Sequence, residues 1–154
     1  MSKIILLSGD KQIGKTSELM RRFAKQTYVG GILMPEKEDG RYFFSLRTKN
    51  TWKAEAAANE SDILNIGRFT FSAAAFSRAN QTILSDIEKY PVIILDEIGP
   101  LELNYQKGLQ ESLEYCLQHC NKIRFLILVV RPSLLENLRE LCEKFSDKVS
   151  VVRR

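Results

Sequence analysis

One run of eight residues near the start of the chain constrains its fold more than any other feature. It reads Gly9-Asp10-Lys11-Gln12-Ile13-Gly14-Lys15-Thr16 and follows the aliphatic run Lys3-Ile4-Ile5-Leu6-Leu7-Ser8. The pattern G-x-x-x-x-G-K-[ST] between a buried strand and a helix is typical of a loop that wraps phosphate groups. Its glycines let backbone N–H groups point inward at an anion, which the N-terminus of the next helix also faces. The sequence therefore predicts a strand, a phosphate-binding loop and a helix within residues 3–25.

The side chains of this loop have distinct expected tasks. Lys15 would reach the β- and γ-phosphates of a nucleotide, and the Thr16 hydroxyl would ligate Mg²⁺. The predicted nucleotide-binding residues are nine in a row: Gly9, Asp10, Lys11, Gln12, Ile13, Gly14, Lys15, Thr16 and Ser17.

Size and composition limit the class of protein. A chain of 154 residues fits one domain, which we place at 1–154. Its 44% hydrophobic and 27% charged content is typical of a soluble globular protein. No apolar stretch approaches the roughly 20 residues of a membrane span, so no membrane partner is expected. The first residues lack the length and basic start of a secretion signal, and the three cysteines are expected to be reduced, so the predicted compartment is the cytoplasm.

The net charge of +4 raises the question of a nucleic-acid partner. A basic balance permits contact with nucleic acid but does not require it. The Lys and Arg residues are scattered along the chain, and the only tight pairs are Arg21-Arg22 and Arg153-Arg154. Nucleic-acid binding is therefore permitted but unsupported, and the oligomeric state stays open.

The order of the remaining elements predicts an α/β fold. Aliphatic and β-rich runs predict strands at 29–35, 41–47, 62–66, 68–71, 91–95, 124–130 and 148–152. Helices are predicted at 16–25, at 73–89 after a Ser72 cap, at 105–119 and at 133–145, whereas 50–60 is expected to be a loop with a helical turn. The Asp39-Gly40 step predicts a hairpin. Together these elements predict a three-layer domain with a mostly parallel sheet and an early β-hairpin insertion.

Two consecutive acids follow the aliphatic run 92–95 and complete the predicted site. Because ligands bind at the carboxyl edge of open α/β sheets, Asp96 is expected to approach Mg²⁺ beside Thr16. Glu97 points a different way and could orient or deprotonate the water that attacks the γ-phosphate. The alternative interpretation of Asp96-Glu97 is a solvated strand end.

The same acids begin a D-x-x-G pattern, Asp96-Glu97-Ile98-Gly99, which also occurs in GTPases. A GTPase should then carry an N-K-x-D run that binds guanine through its acid. The nearest run here is Asn121-Lys122-Ile123-Arg124, which has Arg in place of that acid. Guanine selectivity is therefore unsupported.

Several segments resemble a known family, the thermophile-type nucleoside-triphosphatases, known in animals as the cancer-related nucleoside-triphosphatase. Members typically read DEIG-x-x-EL at the second acidic motif, and this chain matches throughout with Asp96-Glu97-Ile98-Gly99-Pro100-Leu101-Glu102-Leu103. The stretch Gly31-Ile32-Leu33-Met34-Pro35-Glu36 is similar to the family's segment after the first helix, and Gly40-Arg41 to its hairpin. Ile66-Gly67-Arg68-Phe69 resembles the family's VGRY segment.

The chain departs from the family pattern in the phosphate loop. Family loops usually read G-x-P-G-x-G-K-T-T, whereas here Lys11-Gln12 stands in place of Pro-Gly and Ser17 in place of the second Thr. Met34 replaces a usual threonine. Because Gln12 carries a Cβ where glycine lets the backbone approach the phosphates, the loop's shape or affinity is expected to differ.

The resemblance carries expectations for fold and activity. It implies a P-loop NTPase fold of the RecA-like arrangement, with an extra strand between the loop strand and the Asp96 strand. It also implies Mg²⁺-dependent hydrolysis of ATP, GTP and other nucleoside triphosphates with little base selectivity.

Two arginines are candidates for neutralising charge during phosphoryl transfer, which benefits from a cation. Arg131 follows the predicted strand 124–130 at its carboxyl end, where it could reach the nucleotide. Arg68 lies between short predicted strands. A surface salt bridge is the alternative for either residue. Glu102, on the loop after Glu97, is interpreted as a structural carboxylate or part of a helix start.

The leading hypothesis is a nucleoside-triphosphatase in which Lys15 and Glu97 act on the phosphates and the water. A kinase that passes the phosphoryl group to a small acceptor is a second hypothesis, although no arginine-rich lid is recognisable. A nucleotide-binding regulatory module without hydrolysis is a third, and Lys11-Gln12 favours it.

Overall fold

The structure is a computed structural model, and it describes residues 3–9 and 14–153. Within this part of the chain the strands are β1 (Lys3–Ser8), β2 (Val29–Leu33), β3 (Glu36–Lys37), β4 (Gly40–Ser45), β5 (Thr51–Lys53), β6 (Ile63–Ile66), β7 (Phe69–Ser72), β8 (Val92–Ile98), β9 (Phe125–Val130) and β10 (Val149–Arg153). The helices are α1 (Lys15–Phe23), α2 (Ala73–Ile87), α3 (Pro100–Leu103), α4 (Gln110–Gln118) and α5 (Leu135–Glu143).

The main sheet runs in the order β10-β1-β9-β8-β2-β4-β3, with β5 also paired to β4. The five strands from β10 to β2 are mutually parallel, and β4 is antiparallel to β2, β3 and β5. Strand β9 therefore separates the loop strand β1 from β8, which carries Asp96. This arrangement confirms the predicted mostly parallel α/β sheet with an extra strand between those two.

Helices cover both faces of the sheet, as the three-layer prediction requires. Alternate residues of β8 enter opposite cores, because side chains of a strand point to its two faces in turn. Val92 and Ile94 pack in the cluster that contains Leu19 of α1. Ile93 and Leu95 pack in the larger cluster formed with α2, α4 and α5. Among the described residues no helix combines the length and apolar character needed to cross a bilayer.

Most predicted elements are confirmed, including the Ser72 cap, whose Oγ accepts a hydrogen bond from the Ala75 N–H at 3.1 Å. The predicted early hairpin is present as the antiparallel β3–β4 pair. The loop prediction for 50–60 was wrong over 51–53, which form β5. That strand pairs with β4, and the Phe43 and Trp52 rings lie side by side with centroids 5.7 Å apart.

The helix predicted from Tyr105 begins later, at Gln110. The intervening chain folds back on the buried carboxylate of Glu102, which accepts a hydrogen bond from the Leu109 N–H at 2.8 Å. A short helix, α3, directly follows β8 and was not predicted. These contacts are formed between separate segments, so helical periodicity alone did not reveal them.

Gly31 is the point of closest approach between β2 and β8. An added Cβ there would lie 2.1 Å from the Ile94 carbonyl oxygen, and the residue has φ +104°. We expect Gly31→Ala to lower the free energy of unfolding in urea by about 3 kcal/mol, through overpacking and backbone strain together.

The matched control is Gly67→Ala in the β6–β7 turn, where φ is +56° but no described atom lies within 4 Å of the added Cβ. This change should cost only about 1 kcal/mol of backbone strain. Equal losses in the two variants would contradict the steric explanation for Gly31.

Candidate functional site

The phosphate loop joins the end of β1 to the start of α1. Asp10, Lys11, Gln12 and Ile13 lie outside the described residues. Gly14 adopts a left-handed conformation with φ 69°, which glycine tolerates without a Cβ penalty, and it caps α1. Lys15 is the first residue of the helix, is 9% exposed, and donates a hydrogen bond from Nζ to the Gly9 carbonyl. Its ammonium group therefore lies at Gly9, the first residue of the predicted loop.

Asp96 links β8 to the start of α1. Its Oδ2 accepts hydrogen bonds from Thr16 Oγ1 at 2.6 Å and from the Met34 N–H at 2.9 Å. Its Oδ1 is buried and has no hydrogen-bond partner among the described residues. An unsatisfied buried carboxylate oxygen beside a hydroxyl suits a hard cation such as Mg²⁺, which is usually bound by few protein oxygens together with water and phosphate.

Burial raises the pKa of the Asp96 carboxyl to about 6, and the negative charge of Glu97 adds to this shift. The hydrogen bonds from Thr16 and Met34 oppose it. The site therefore holds its carboxylate in an environment that disfavours the charge unless a cation is nearby.

Asp96 and Glu97 lie in a β-bulge between the regular part of β8 and its last residue, Ile98. Leu95 pairs with Leu128 and Ile98 with Val130, so two residues of β8 face one residue of β9. Glu97 has φ 62°, a conformation uncommon for a residue with a side chain. The bulge inserts both acids between Leu95 and Ile98, while the side chains of Leu95 and Ile98 remain in the same core cluster.

Glu97 makes an ion pair with a residue that sequence reasoning did not assign to the site. Arg41 Nη1 lies 3.3 Å from Glu97 Oε1, and Arg41 Nη2 lies 3.6 Å from Glu36 Oε2. The Arg41 side chain is only 7% exposed, whereas that of Glu97 is 29% exposed and open to water. The Gly40-Arg41 pair in the predicted hairpin was the available signal, but nothing local linked it to Glu97.

The site residues enclose a cavity of about 260 Å³ at the carboxyl edge of the sheet. Lys15, Thr16 and Ser17 line one side, and Arg41 and Glu97 line the other. The described loop residues therefore share one cavity with Glu97, while the roles predicted for them stay predictions. The Arg41 guanidinium, the Lys15 ammonium group and the water-facing Glu97 carboxylate lie around one cavity. Such an arrangement can bind a phosphate chain and activate it.

The two arginines predicted from sequence do not line the cavity that contains Lys15, Thr16 and Ser17. Arg68 is at the turn of the β6–β7 hairpin, and Arg131 directly follows β9; both line a neighbouring pocket. Arg131 also lines a small cavity of about 20 Å³ with Gly9, Lys15 and Glu97. Arg131 is therefore nearer to the predicted phosphate site than Arg68.

Glu102 is a structural carboxylate. Its Oε1 accepts the Gly99 N–H at 2.8 Å, completing a capping box at the start of α3, while Oε2 accepts the Leu109 N–H. Burial raises the pKa of the Glu102 carboxyl to about 7. The structural interpretation of this residue is confirmed.

The strand–loop–helix unit and the carboxylate at the end of a non-adjacent parallel strand define the class of protein. The fold and the site are those of a P-loop NTPase domain. The sequence model of a family described as NTPase matches residues 4–153, and the chain belongs to this family.

Two known proteins are similar to the chain. The nucleoside-triphosphatase THEP1 of Saccharolobus solfataricus is 31% identical over 107 residues, which cover 64% of this chain and 61% of the relative. The match thus spans about three fifths of that relative's length. The crystal structure of THEP1 from the hyperthermophile Aquifex aeolicus has the same fold, with a TM-score of 0.70 over 97% of this chain and 88% of that chain at 16% identity.

The burial of Asp96 leads to a test of how the site affects stability. The pKa of Asp96 is raised from 3.8 to about 6, so the folded protein loses stability as the pH rises through this range. Asp96→Asn keeps an acceptor for Thr16 and Met34 but carries no charge. In urea unfolding without metal, we expect the free energy of unfolding of this variant to rise relative to that of the wild type between about pH 4 and pH 7. The difference should be at most about 3 kcal/mol.

Asp86→Asn is the matched control, because Asp86 is also buried and burial also raises its pKa, whereas both its oxygens have hydrogen-bond partners. It accepts the Gly31 N–H at 2.8 Å and Arg47 Nε at 2.7 Å. Its replacement leaves a donor facing a donor and should cost about 1–3 kcal/mol at neutral pH. If Asp96→Asn lowered the free energy of unfolding as much as Asp86→Asn does, burial of the Asp96 charge would not be destabilising the folded protein.

Proposed function

We infer that this single domain, residues 1–154, is a Mg²⁺-dependent nucleoside-triphosphatase that hydrolyses ATP, GTP and other nucleoside triphosphates to the diphosphate and phosphate. The observation that carries the proposal is the contact between Thr16 and Asp96 beside Lys15, opposite a water-accessible Glu97. The activity in the printed name of the Saccharolobus relative supports the same chemistry. The cytoplasm is the compartment we propose.

The phosphate chain would bind at the N-terminus of α1. Backbone N–H groups of the loop from Gly9 to Ser17 would surround it, and Lys15 would turn from the Gly9 carbonyl to the β- and γ-phosphates. Thr16 Oγ1 and Asp96 Oδ1 would hold Mg²⁺, Asp96 directly or through water. When bound, the metal neutralises charge on the phosphate oxygens.

Glu97 would orient the attacking water and accept its proton. Its carboxylate lines the cavity of about 260 Å³ beside Lys15 and Thr16, which we call the phosphate cavity. The carboxylate is partly exposed, so a water molecule can reach it from solvent. The left-handed backbone at Glu97 fixes the direction in which this side chain leaves the strand. Arg41 would hold the carboxylate in place, and its second amino group would turn from the exposed Glu36 carboxylate to the γ-phosphate, since Arg41 lines the same cavity.

Low base selectivity is supported by the position of the run Asn121-Lys122-Ile123-Arg124. This run directly precedes β9, whose first residue pairs with Val92 at the start of β8. The run therefore lies at the opposite edge of the sheet from Asp96 and Lys15. It is not placed to bind a base whose phosphates occupy the loop.

The first functional prediction concerns Glu97→Gln, which keeps the shape of the side chain but removes the base. We expect kcat for phosphate release from ATP, GTP, CTP and UTP to fall by about 10²- to 10⁴-fold, with nucleotide affinity little changed. Lys15→Ala should lose both binding and turnover. Undiminished turnover in Glu97→Gln would remove Glu97 from the mechanism.

Tight nucleotide binding by the wild type without phosphate release would instead favour the non-hydrolysing regulatory module. Calorimetric titration with a non-hydrolysable triphosphate, run beside the release assay, separates the two cases.

The second prediction ranks the three arginines. Arg41→Gln should lower kcat by about 10²- to 10³-fold, because Arg41 touches Glu97 and lines the phosphate cavity. Arg131→Gln should lower kcat about tenfold, because Arg131 shares with Lys15 only the small cavity, and Arg68→Gln should lower kcat less, because Arg68 shares no cavity with the described loop residues. A larger loss in Arg68→Gln than in Arg41→Gln would reverse this assignment.

A further inference from the structure

A second pocket of about 280 Å³ opens on the far side of Glu97. It lies between the β6–β7 hairpin and the segment that leads into α3. Three aromatic side chains line it: Phe69, Phe71 and Phe76. The hydrolysis of a triphosphate by water does not require such a pocket, so its lining points to a second ligand.

The second pocket shares a wall with the phosphate cavity. Met34, Arg41 and Glu97 line both, and Arg131 lines both the second pocket and the small cavity beside Lys15. A ligand in the second pocket would therefore have its inner end next to the carboxylate that faces the γ-phosphate. A phosphoryl acceptor has to bring its oxygen close to the γ-phosphate, and a ligand in the second pocket would meet this requirement.

The charges around the pocket favour an anionic ligand. Arg41 is paired with Glu97, but among the described residues Arg68 and Arg131 have no ion pair within 4 Å. Glu102, which also lines the pocket, has both carboxylate oxygens engaged by backbone N–H groups, and burial raises its pKa to about 7. Two guanidinium groups thus remain available for a phosphate group.

The aromatic wall favours a ligand with a flat ring. The rings of Phe69 and Phe71 are stacked, with centroids 5.4 Å apart and an interplanar angle of 9°. The Arg41 and Arg68 guanidinium carbons each lie 5.2 Å from the Phe69 centroid. Phe71 and Phe76 are buried in the core and Phe69 is only partly buried, so a flat ring entering the pocket would contact Phe69 and the two guanidinium groups beside it. The cavity is at the small end of ligand pockets, which range from about 300 to 1,000 Å³, so it suits a mononucleotide.

We propose that the second pocket binds a nucleoside monophosphate as a phosphoryl acceptor. An oxygen of its phosphate attacks the γ-phosphorus, a new P–O bond forms, and the bond from the γ-phosphorus to the β–γ bridging oxygen breaks. The electron pair of that bond leaves with the diphosphate, so one triphosphate and one monophosphate give two diphosphates. Any proton on the attacking phosphate passes to Glu97. This proposal rests on the proposed binding of a triphosphate in the loop.

The test uses the full chain with Mg²⁺ and ATP labelled in its γ-phosphate, and adds AMP, GMP, CMP or UMP. Chromatography separates labelled diphosphate, which reports transfer, from labelled inorganic phosphate, which reports hydrolysis. We expect labelled diphosphate with at least one monophosphate, and none with Lys15→Ala, which excludes a contaminating kinase.

Phe69→Leu tests the pocket itself, because it removes the flat ring and keeps an apolar side chain. We expect it to raise the KM for the monophosphate roughly tenfold more than it alters the KM for ATP. The matched control is Phe145→Leu, at an exposed phenylalanine just after α5 that does not line the pocket, and it should change neither.

Each outcome of this test is decisive. Phosphate release without labelled diphosphate, or monophosphate binding without transfer, overturns the acceptor role and leaves the proposed hydrolase intact. Transfer that Phe69→Leu affects no more than Phe145→Leu places the acceptor elsewhere and also overturns the proposal. If the wild type forms neither labelled diphosphate nor labelled phosphate, the proposed function itself is wrong.

Discussion

The hydrogen bond between Thr16 and Asp96 is the interaction on which the rest of the site depends. It joins the start of α1 to the end of β8 across the intervening strand β9, at 2.6 Å. The same Asp96 oxygen accepts the Met34 N–H, so the end of β2 is fixed to the same point. Three segments that are far apart in sequence thereby meet around one buried carboxylate. The phosphate cavity is the space that they leave, and the charge of Asp96 is the reason that a cation is favoured there.

Strand β8 meets two demands that a regular strand cannot satisfy together. Its aliphatic residues must alternate between the two cores, and its last residues must present two successive acids at the sheet edge. The bulge at Asp96 and Glu97 resolves this, because the extra residue returns Ile98 to the core that already holds Leu95. The cost is the left-handed backbone at Glu97, a strain of the kind that functional sites retain.

Local signals account for most of what the sequence predicted. The helix start at Gly14 and Lys15, the aliphatic run before Asp96 and the Ser72 cap each depend on neighbours within a few residues, so their structures follow from spacing and residue type. Arg41 and the second pocket depend on contacts between the early hairpin, the β6–β7 hairpin and the end of β8. No periodicity encodes such contacts. Phe71 lies in the core and Phe69 packs against it, and both also line the second pocket, which no local pattern marks.

The shared wall formed by Arg41 and Glu97 would give the proposed hydrolysis and the proposed transfer a common carboxylate. With the second pocket empty, solvent can reach Glu97, and water would be the nucleophile. An occupant that fills the pocket would displace this water and place its own oxygen beside the same carboxylate. Hydrolysis and transfer would then compete at one site, and their ratio would depend on occupancy of the aromatic pocket rather than on the loop. A closed lid, which many kinases use to exclude water, is unnecessary where the acceptor itself excludes it.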